Sequence, residues 1–390
     1  MRAVADDAVA HGPDRGASHA NARPEPRPTL VPVQVLRAVA ALLIVIHHGQ
    51  NEVALLAGHR GAAFAPSGLL PWPAGVDIFF VISGFIIIHA AGPLYGRPGG
   101  RRRFMAHRIA RLVPLYWLAS GLYLALALAA PSLLSGEGGP PTGRYVLASF
   151  LFWPAARPDG AILPLYGLGW TLNYELAFYV LFALALGGGR RAAVACLALA
   201  FGLLALLSRL AAPLPVPVAF WAEPIVLEFA LGAALGLARA EGVRLPGVVR
   251  VGLAAAGIAL LALAPDPDPI TRPLAWGGPA VLLVAAAALG RARPGASPPG
   301  LRWAARLGDA SYALYLIHPF ALRATREAIL RSDAAPALTP GMSLVAMVAV
   351  AVLASLAVHR WIERPLTRWL RRLLDPPPAA SAGGGTATSA

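Results

Sequence analysis

The sequence predicts an all-α integral membrane protein with ten transmembrane helices and both termini in the cytoplasm. Its 390 residues are 57% hydrophobic and 13% charged, and the mean hydropathy is +0.62. A soluble domain carries about 25% charged residues, so half of the usual polar surface is missing. The composition therefore excludes an ordinary soluble globule, and its apolar content excludes a disordered chain.

Ten apolar stretches come close to the length of about 20 residues that a bilayer requires. The predicted spans are 34–57, 73–92, 112–130, 170–188, 192–210, 222–239, 249–264, 274–290, 306–323 and 341–360. The stretch 145–153 is apolar but too short to cross, and we expect an interfacial or re-entrant piece there. The predicted membrane domain, 31–372, lies between a polar tail, 1–30, and a low-complexity tail, 373–390, both predicted to be disordered.

The arginines set the predicted orientation. All 33 basic residues are arginine, and 24 of them fall in the N-terminal tail and alternate loops, against six in the other loops. Arginine-rich segments stay in the cytoplasm, so the N-terminus is predicted inside. This placement accounts for the net charge of +14, and without a nucleic-acid motif we expect no nucleic-acid partner. The lone Cys196 excludes an internal disulfide and a cysteine-cluster metal site.

Ionisable groups within membrane helices are costly, so each one is a functional candidate. Arg37 and His48, eleven residues apart on the first helix, share one face and are separated by about 16 Å along the axis. Glu52 follows His48 by four residues and could orient its imidazole, whereas His47 is turned about 80° away. An arginine at the inner interface and a histidine bonded to a neighbouring helix are the structural alternative, but the pair with its carboxylate favours function.

The next two helices offer further candidates. Asp77 lies at the outer end of the second span, where a carboxylate either complements the helix N-terminus or serves the site. The pair Ser83-Gly84 predicts close helix packing. Arg108 and Arg111 are neighbours at i, i+3 at the start of the third span. They are either topology signals or a clamp for a phosphorylated cofactor.

Two later spans add polar side chains. Trp170 suits an interfacial aromatic belt, and Glu175, inside the fourth span, needs a partner or a function. Ser311, Tyr315 and His318 follow an i, i+4, i+7 pattern and form one stripe on the ninth span. A packing network is the alternative explanation for the first two.

The predicted depths separate these residues into two sets. His48, Glu175, His318 and Asp77 are expected in the outer half of the membrane. Arg37, Arg108 and Arg111 are expected on the inner side. This polarity suits a reaction that takes an anionic donor from the cytoplasm and serves an acceptor outside.

Five segments occur together in an order that resembles a known family. They are LRAVAALLIVIHH, GVDIFFVISGFII, RIARLVPLYW, GWTLNYELAFY and SYALYLIHP. With them the chain resembles, over about 34–370, the membrane-bound acyltransferase-3 family of bacterial polysaccharide O-acyltransferases, and in particular its exopolysaccharide-modifying branch. The resemblance carries the family's Arg-x10-His to Arg37 and His48, its Arg-x-x-Arg to Arg108 and Arg111, and its Trp-x4-Glu to Trp170 and Glu175.

The resemblance implies an enzyme of the bacterial inner membrane that transfers an acyl group, most often acetyl, from acyl-coenzyme A to a polysaccharide or lipid-linked glycan hydroxyl. The expected catalytic residues are His48, Arg37 and Glu175, and the expected coenzyme A ligands are Arg108 and Arg111. The expected acceptor-binding residues are Asp77, Trp170, Tyr315 and His318. We expect no metal and no permanently bound cofactor.

Two questions stay open at the level of sequence. His48 could act as general base or carry the acyl group, with His47 as a possible substitute. A transporter or flippase for a glycan or lipid-linked sugar also fits ten helices with buried charges. No inverted repeat or matched pair of broken helices supports that alternative.

Overall fold

A computed structural model describes residues 30–130, 141–157, 159–211, 213–291, 298–332 and 338–375. These residues are helical or irregular, and the β pairing among them is one bridge between Ala156 and Ile162. The helices belong to a compact unit that begins at Val31. Nearly all of the two predicted tails, 1–30 and 373–390, lies outside the described residues.

Fourteen α-helices follow one another along the described chain. They are α1 Val31–His59, α2 Gly75–Ala90, α3 Gly100–Ala129, α4 Gly143–Phe150, α5 Trp170–Ala185, α6 Arg190–Leu210, α7 Val216–Trp221, α8 Leu227–Ala240, α9 Gly247–Leu263, α10 Gly278–Ala288, α11 Pro299–Asp309, α12 Ser311–Leu330, α13 Pro340–Val358 and α14 Arg364–Leu374. Short 3₁₀ or π segments precede α2, α5, α8, α10 and α14.

Each of the ten predicted spans overlaps at least one of these helices. Six helical stretches are long and apolar enough to cross a membrane: Val31–His59, Trp72–Ala90, Gly100–Ala129, Gly167–Ala185, Arg190–Leu210 and Pro340–Leu374. The apolar helices Gly247–Leu263 and Pro273–Ala288 are shorter. The chain is therefore a multi-pass membrane protein, whereas ten crossings and the sides of the termini stay predictions.

Two predicted boundaries need correction. The span 306–323 is two helices, because α11 ends at Asp309 and α12 runs from Ser311 to Leu330. The third helix begins at Gly100, twelve residues before its predicted start. The stretch 145–153 largely forms the short helix α4, and its interfacial or re-entrant placement stays a prediction. Charged side chains cover the missed parts of α3 and α12, so a search for apolar stretches stops short of the true helix ends.

Glycines let α2 and α8 pack backbone against backbone. A Cβ added at Gly84 would lie 2.8 Å from the amide nitrogen of Ala233, closer than real Cβ atoms approach. From the facing helix, a Cβ at Gly236 would lie 2.7 Å from the Cβ of Ile88. The close packing predicted at Gly84 is confirmed, and it fixes α2 beside α8.

Aromatic side chains fill the space next to this glycine contact. Phe229 of α8 stacks on Phe80 of α2 and on Phe178 of α5, with ring centroids 4.4 Å and 4.6 Å apart. All three rings are buried. Stacked rings of this kind add to the stabilisation from buried area, so α2, α5 and α8 form a firm wall for the polar interior.

Candidate active site

Two histidines from different helices meet inside the protein. The rings of His48 on α1 and His318 on α12 have centroids 5.2 Å apart and are tilted by 38°. His47 contacts His48 edge-on at 5.1 Å. His48 therefore makes a ring contact across two helices, and its choice over His47 as the catalytic residue stays a prediction.

A backbone hydrogen bond assigns the proton of neutral His318 to one ring nitrogen. Its Nδ1 lies 2.9 Å from the carbonyl oxygen of Leu314, and because a carbonyl only accepts, Nδ1 donates. In the neutral ring Nε2 then carries a lone pair, and this atom is buried with no partner among the described residues. His318 thus offers one unused acceptor next to His48.

The sequence predicted that Glu52 could orient the imidazole of His48, but its carboxylate binds two arginines instead. Its carboxylate accepts hydrogen bonds from Arg326 Nη1 at 2.5 Å and from Arg323 Nε at 3.3 Å, both on α12. Two guanidiniums are stronger partners for a buried carboxylate than an imidazole on its own helix. Glu52 instead ties α1 to α12 one turn beyond the histidine pair.

The predicted arginines line one cavity of about 220 Å³. Arg37, Arg108 and Arg111 all face it, although they come from α1 and α3. Arg37 donates to Gln34 Oε1 at 3.1 Å, and the guanidinium of Arg108 lies over the rings of Phe104 and Tyr179. The cavity is therefore strongly basic.

Glu175 lies with these arginines and not with the histidines, which corrects its predicted place. Its carboxylate lines the same cavity and accepts hydrogen bonds from Ser83 Oγ at 3.2 Å and from the Tyr179 hydroxyl. Glu175 is only five residues, about 8 Å, from the start of α5 at Trp170. This short distance from the start of α5 led to the prediction that Glu175 lies in the outer half of the membrane with the histidines. The arginine cavity extends far enough along α5 to include Glu175.

Tyr315 stands where the cavity ends and the histidine pair begins. It lines the cavity, and its ring centroid is 6.3 Å from that of His318. Its hydroxyl donates to the carbonyl of Leu168 and accepts from Thr171 Oγ1, each at 3.0 Å. Neither His48 nor His318 is among the cavity's described lining residues. The basic cavity and the histidine pair are therefore separate features, with Tyr315 next to both.

Asp77 forms an ion pair that the sequence did not reveal. Its fully buried carboxylate binds Arg272 through two hydrogen bonds of 2.9 Å. The guanidinium of Arg272 also lies over Trp276 at 4.9 Å and Trp170 at 6.0 Å. No side-chain hydrogen bond caps α2, so the carboxylate's described partner is an arginine and not the helix terminus. Acceptor binding by Asp77 or Trp170 stays a prediction.

Comparison with known proteins places this geometry in a family. The acyltransferase-3 family model, described as an acyltransferase domain, matches residues 33–360. This range contains both histidines, the three cavity arginines and Glu175. The chain belongs to the acyltransferase-3 family. It is an O-acyltransferase.

Two bacterial proteins are similar in sequence to this acyltransferase. The exopolysaccharide production protein ExoZ of Rhizobium meliloti (strain 1021) is 35% identical over 307 residues, which cover 76% of this chain and 89% of the relative. The acyltransferase MdmB of Streptomyces mycarofaciens is 29% identical over 331 residues, which cover 76% of this chain and 81% of the relative. No solved structure matches the chain significantly.

The acyltransferase also has site residues that sequence reasoning missed. Gln34, Ser83, Tyr179 and Tyr312 line the arginine cavity, and Arg272 holds Asp77. Gln34 lies three residues before Arg37, so helical spacing could have found it. Arg272 comes 195 residues after Asp77, and no local pattern joins the two.

Proposed function

We propose that this acyltransferase moves an acetyl group from acetyl-coenzyme A at the cytoplasmic side to a hydroxyl of a cell-envelope or exported polysaccharide. The enzyme would act in the bacterial inner membrane. The observation that carries the proposal is the basic cavity, which adjoins Tyr315 next to a buried histidine pair. The similarity to an exopolysaccharide production protein supports the choice of acceptor.

The cavity suits a donor with an anionic head and a long uncharged arm. Coenzyme A carries its phosphates at one end and its thioester at the other, and arginine forks bind phosphate oxygens bidentately. Lining residues on α2 run from Ile87 to Val76, eleven residues or about 16 Å of helix. With its phosphates at Arg108 and Arg111, the pantetheine arm would follow this wall toward Tyr315.

His48 would serve the chemical step. As general base it removes the proton of the acceptor hydroxyl, whose oxygen attacks the thioester carbonyl. The carbon–sulfur bond breaks, coenzyme A leaves as thiolate, and the proton held by His48 passes to that sulfur. His318, whose bare Nε2 lies beside the reacting ring, would accept a hydrogen bond from His48 and orient it.

The decisive experiment compares the exported polysaccharide of three strains by mass spectrometry: wild type, gene deletion, and the deletion complemented with His48→Ala. We expect the same amount of glycan without its ester groups in the last two strains, and the mass of the lost group identifies the acyl chain. If the lost group has the mass of a succinyl group, the transferred group is succinyl and the proposed acetyl group is wrong. Loss of export with esters intact would overturn it in favour of a transporter.

A second experiment separates the two possible roles of His48. Purified enzyme is mixed with radiolabelled acetyl-coenzyme A without acceptor, and protein-bound label is measured after denaturation. Label that depends on His48 indicates an acyl-enzyme, whereas activity without protein-bound label supports direct transfer with His48 as base.

A further inference from the structure

The C-terminal helix α14 brings another arginine to the two at the start of α3. The electrostatic neighbours of Arg371 on α14 include Arg111 and Arg108, which carry the same charge. Arg371 lies 260 positions after Arg111, and it is one of five arginines in the segment 360–372. The sequence therefore gave no reason to single it out.

This arginine cluster, which comprises Arg108, Arg111 and Arg371, has unused hydrogen-bond donors. The Nε atoms of Arg108 and Arg371 are buried and have no hydrogen-bond partner among the described residues. Buried polar groups are normally bonded, and like charges that are brought together repel one another. An anion between the guanidiniums would satisfy the donors and remove the repulsion.

Contacts of Asp375, four residues after Arg371, place this end of α14 beside α3. The carboxylate of Asp375 binds Arg103 Nε and His107 Nε2 of α3, each at 2.9 Å. Helix α14 is thus held against α3.

We propose that Arg371 is a third phosphate-binding arginine of the donor site and acts together with Arg108 and Arg111. The proposal rests on the proposed use of an acyl-coenzyme A donor. Coenzyme A has a pyrophosphate and a separate ribose phosphate, which are more phosphate groups than two guanidiniums bind bidentately. A third fork from another helix matches the third phosphate.

The neighbouring Arg372 provides a matched control. It has the same charge on the same helix turn but is exposed, whereas Arg371 is half-buried. Coenzyme A binding is measured by calorimetry on the full-length protein in phosphatidylcholine nanodiscs, for the wild type, Arg371→Ala, Arg372→Ala and Arg108→Ala. Thermal unfolding of each variant confirms that it is folded.

We expect Arg371→Ala to weaken coenzyme A binding at least tenfold and Arg372→Ala to change it less than twofold. If Arg371 contacts the ribose phosphate, its loss will affect coenzyme A more than 3′-dephospho-coenzyme A. Unchanged affinity in Arg371→Ala with weakened affinity in Arg108→Ala would overturn the role of Arg371 and leave the proposed donor intact. Absence of binding to the wild type would overturn both.

A phosphate group could also come from an anionic lipid. The titrations are therefore repeated in nanodiscs that contain phosphatidylglycerol. If Arg371 serves a lipid headgroup, Arg371→Ala leaves coenzyme A affinity unchanged in phosphatidylcholine and lowers lipid binding only, which contradicts the proposal. A tenfold loss in both lipid compositions supports it.

Discussion

His48 and His318 lie on different helices, yet their ring centroids are 5.2 Å apart. Nδ1 of His318 is committed to a backbone carbonyl, and its Nε2 is buried and bare. One histidine thus has its proton assigned by a backbone hydrogen bond, and the other is the catalytic group that the family resemblance predicts. In the proposed mechanism this pair supplies a base and a neighbour that can orient it.

Replacing His48 by alanine should abolish acyl transfer, because general base catalysis typically contributes 10²–10⁴ in rate. The matched variant is His47→Ala, which removes the adjacent ring but leaves the contact with His318. It should retain activity within a few-fold of wild type. Acyl transfer per unit of membrane-inserted enzyme is the measurement, and equal loss in both variants would contradict the assignment to His48.

Two substitutions of His318 should differ in effect. In Gln the side-chain oxygen extends toward the place of Nε2 and preserves an acceptor, whereas in Asn the polar end stays near the place of Nδ1. We expect His318→Gln to keep more kcat than His318→Asn, with an unchanged KM for the donor. Equal kcat values would show that the acceptor at Nε2 has no part in orienting His48.

Removing the charge of Glu52 should loosen the contact between α1 and α12. Breaking a buried ion pair from one side costs about 3–5 kcal/mol, because the arginines are left uncompensated. Glu52→Gln is therefore expected to lower the unfolding temperature and kcat while the donor KM stays constant. The control Glu327→Gln removes a more exposed carboxylate that also pairs with Arg326, and it should do little. Equal effects of the two variants would contradict the role of Glu52.

A methyl group at Gly84 should destabilise the protein, because it would collide with the backbone of α8. Overpacking of this kind costs about 1–3 kcal/mol. Gly202→Ala on α6, where nothing lies within 4 Å of the added Cβ, is the control and should be tolerated. Unfolding temperatures of the two purified variants test this, and a Gly84→Ala protein as stable as wild type would refute the tight contact.

The predicted topology can be tested with reporter fusions. A reporter after Gly139 should be outside, and one after Gly188 should be inside, given the positive-inside distribution of arginines. Gly139 lies outside the residues that the structure describes, and Gly188 precedes α6. The reverse result would turn the arginine cavity toward the outside and exclude a cytoplasmic donor there.

The helices were predictable from the sequence because each apolar stretch is also a helix. The amphipathic helices α11 and α14 were missed, since a search for apolar spans passes over segments in which arginines alternate with leucine and tryptophan. The start of α3 was missed for the same reason, as its first turn contains Arg101, Arg102 and Arg103. Composition thus locates the apolar parts of a membrane helix better than its charged ends.

The site was predictable where its residues share a helix. Arg37 with His48 and Arg108 with Arg111 follow from spacing alone. Partners on other helices did not follow, because which helices pack together depends on contacts far apart in sequence. Glu52 with Arg326, Asp77 with Arg272, and Arg371 beside Arg111 are all of this kind.

The position of Tyr315 also matters for the ability of the membrane to hold an electrical potential. Its hydroxyl is bonded to Leu168 and Thr171, which holds the ring at the boundary between the basic cavity and the histidines. An open water path there would let protons run down their gradient, at about 2.3 kcal/mol per elementary charge for each 100 mV. In the proposed function the acetyl group that passes is uncharged, so its passage would dissipate no potential. Under that proposal, a fold with this boundary would modify the cell exterior at the expense of a cytoplasmic metabolite without discharging the membrane that contains it.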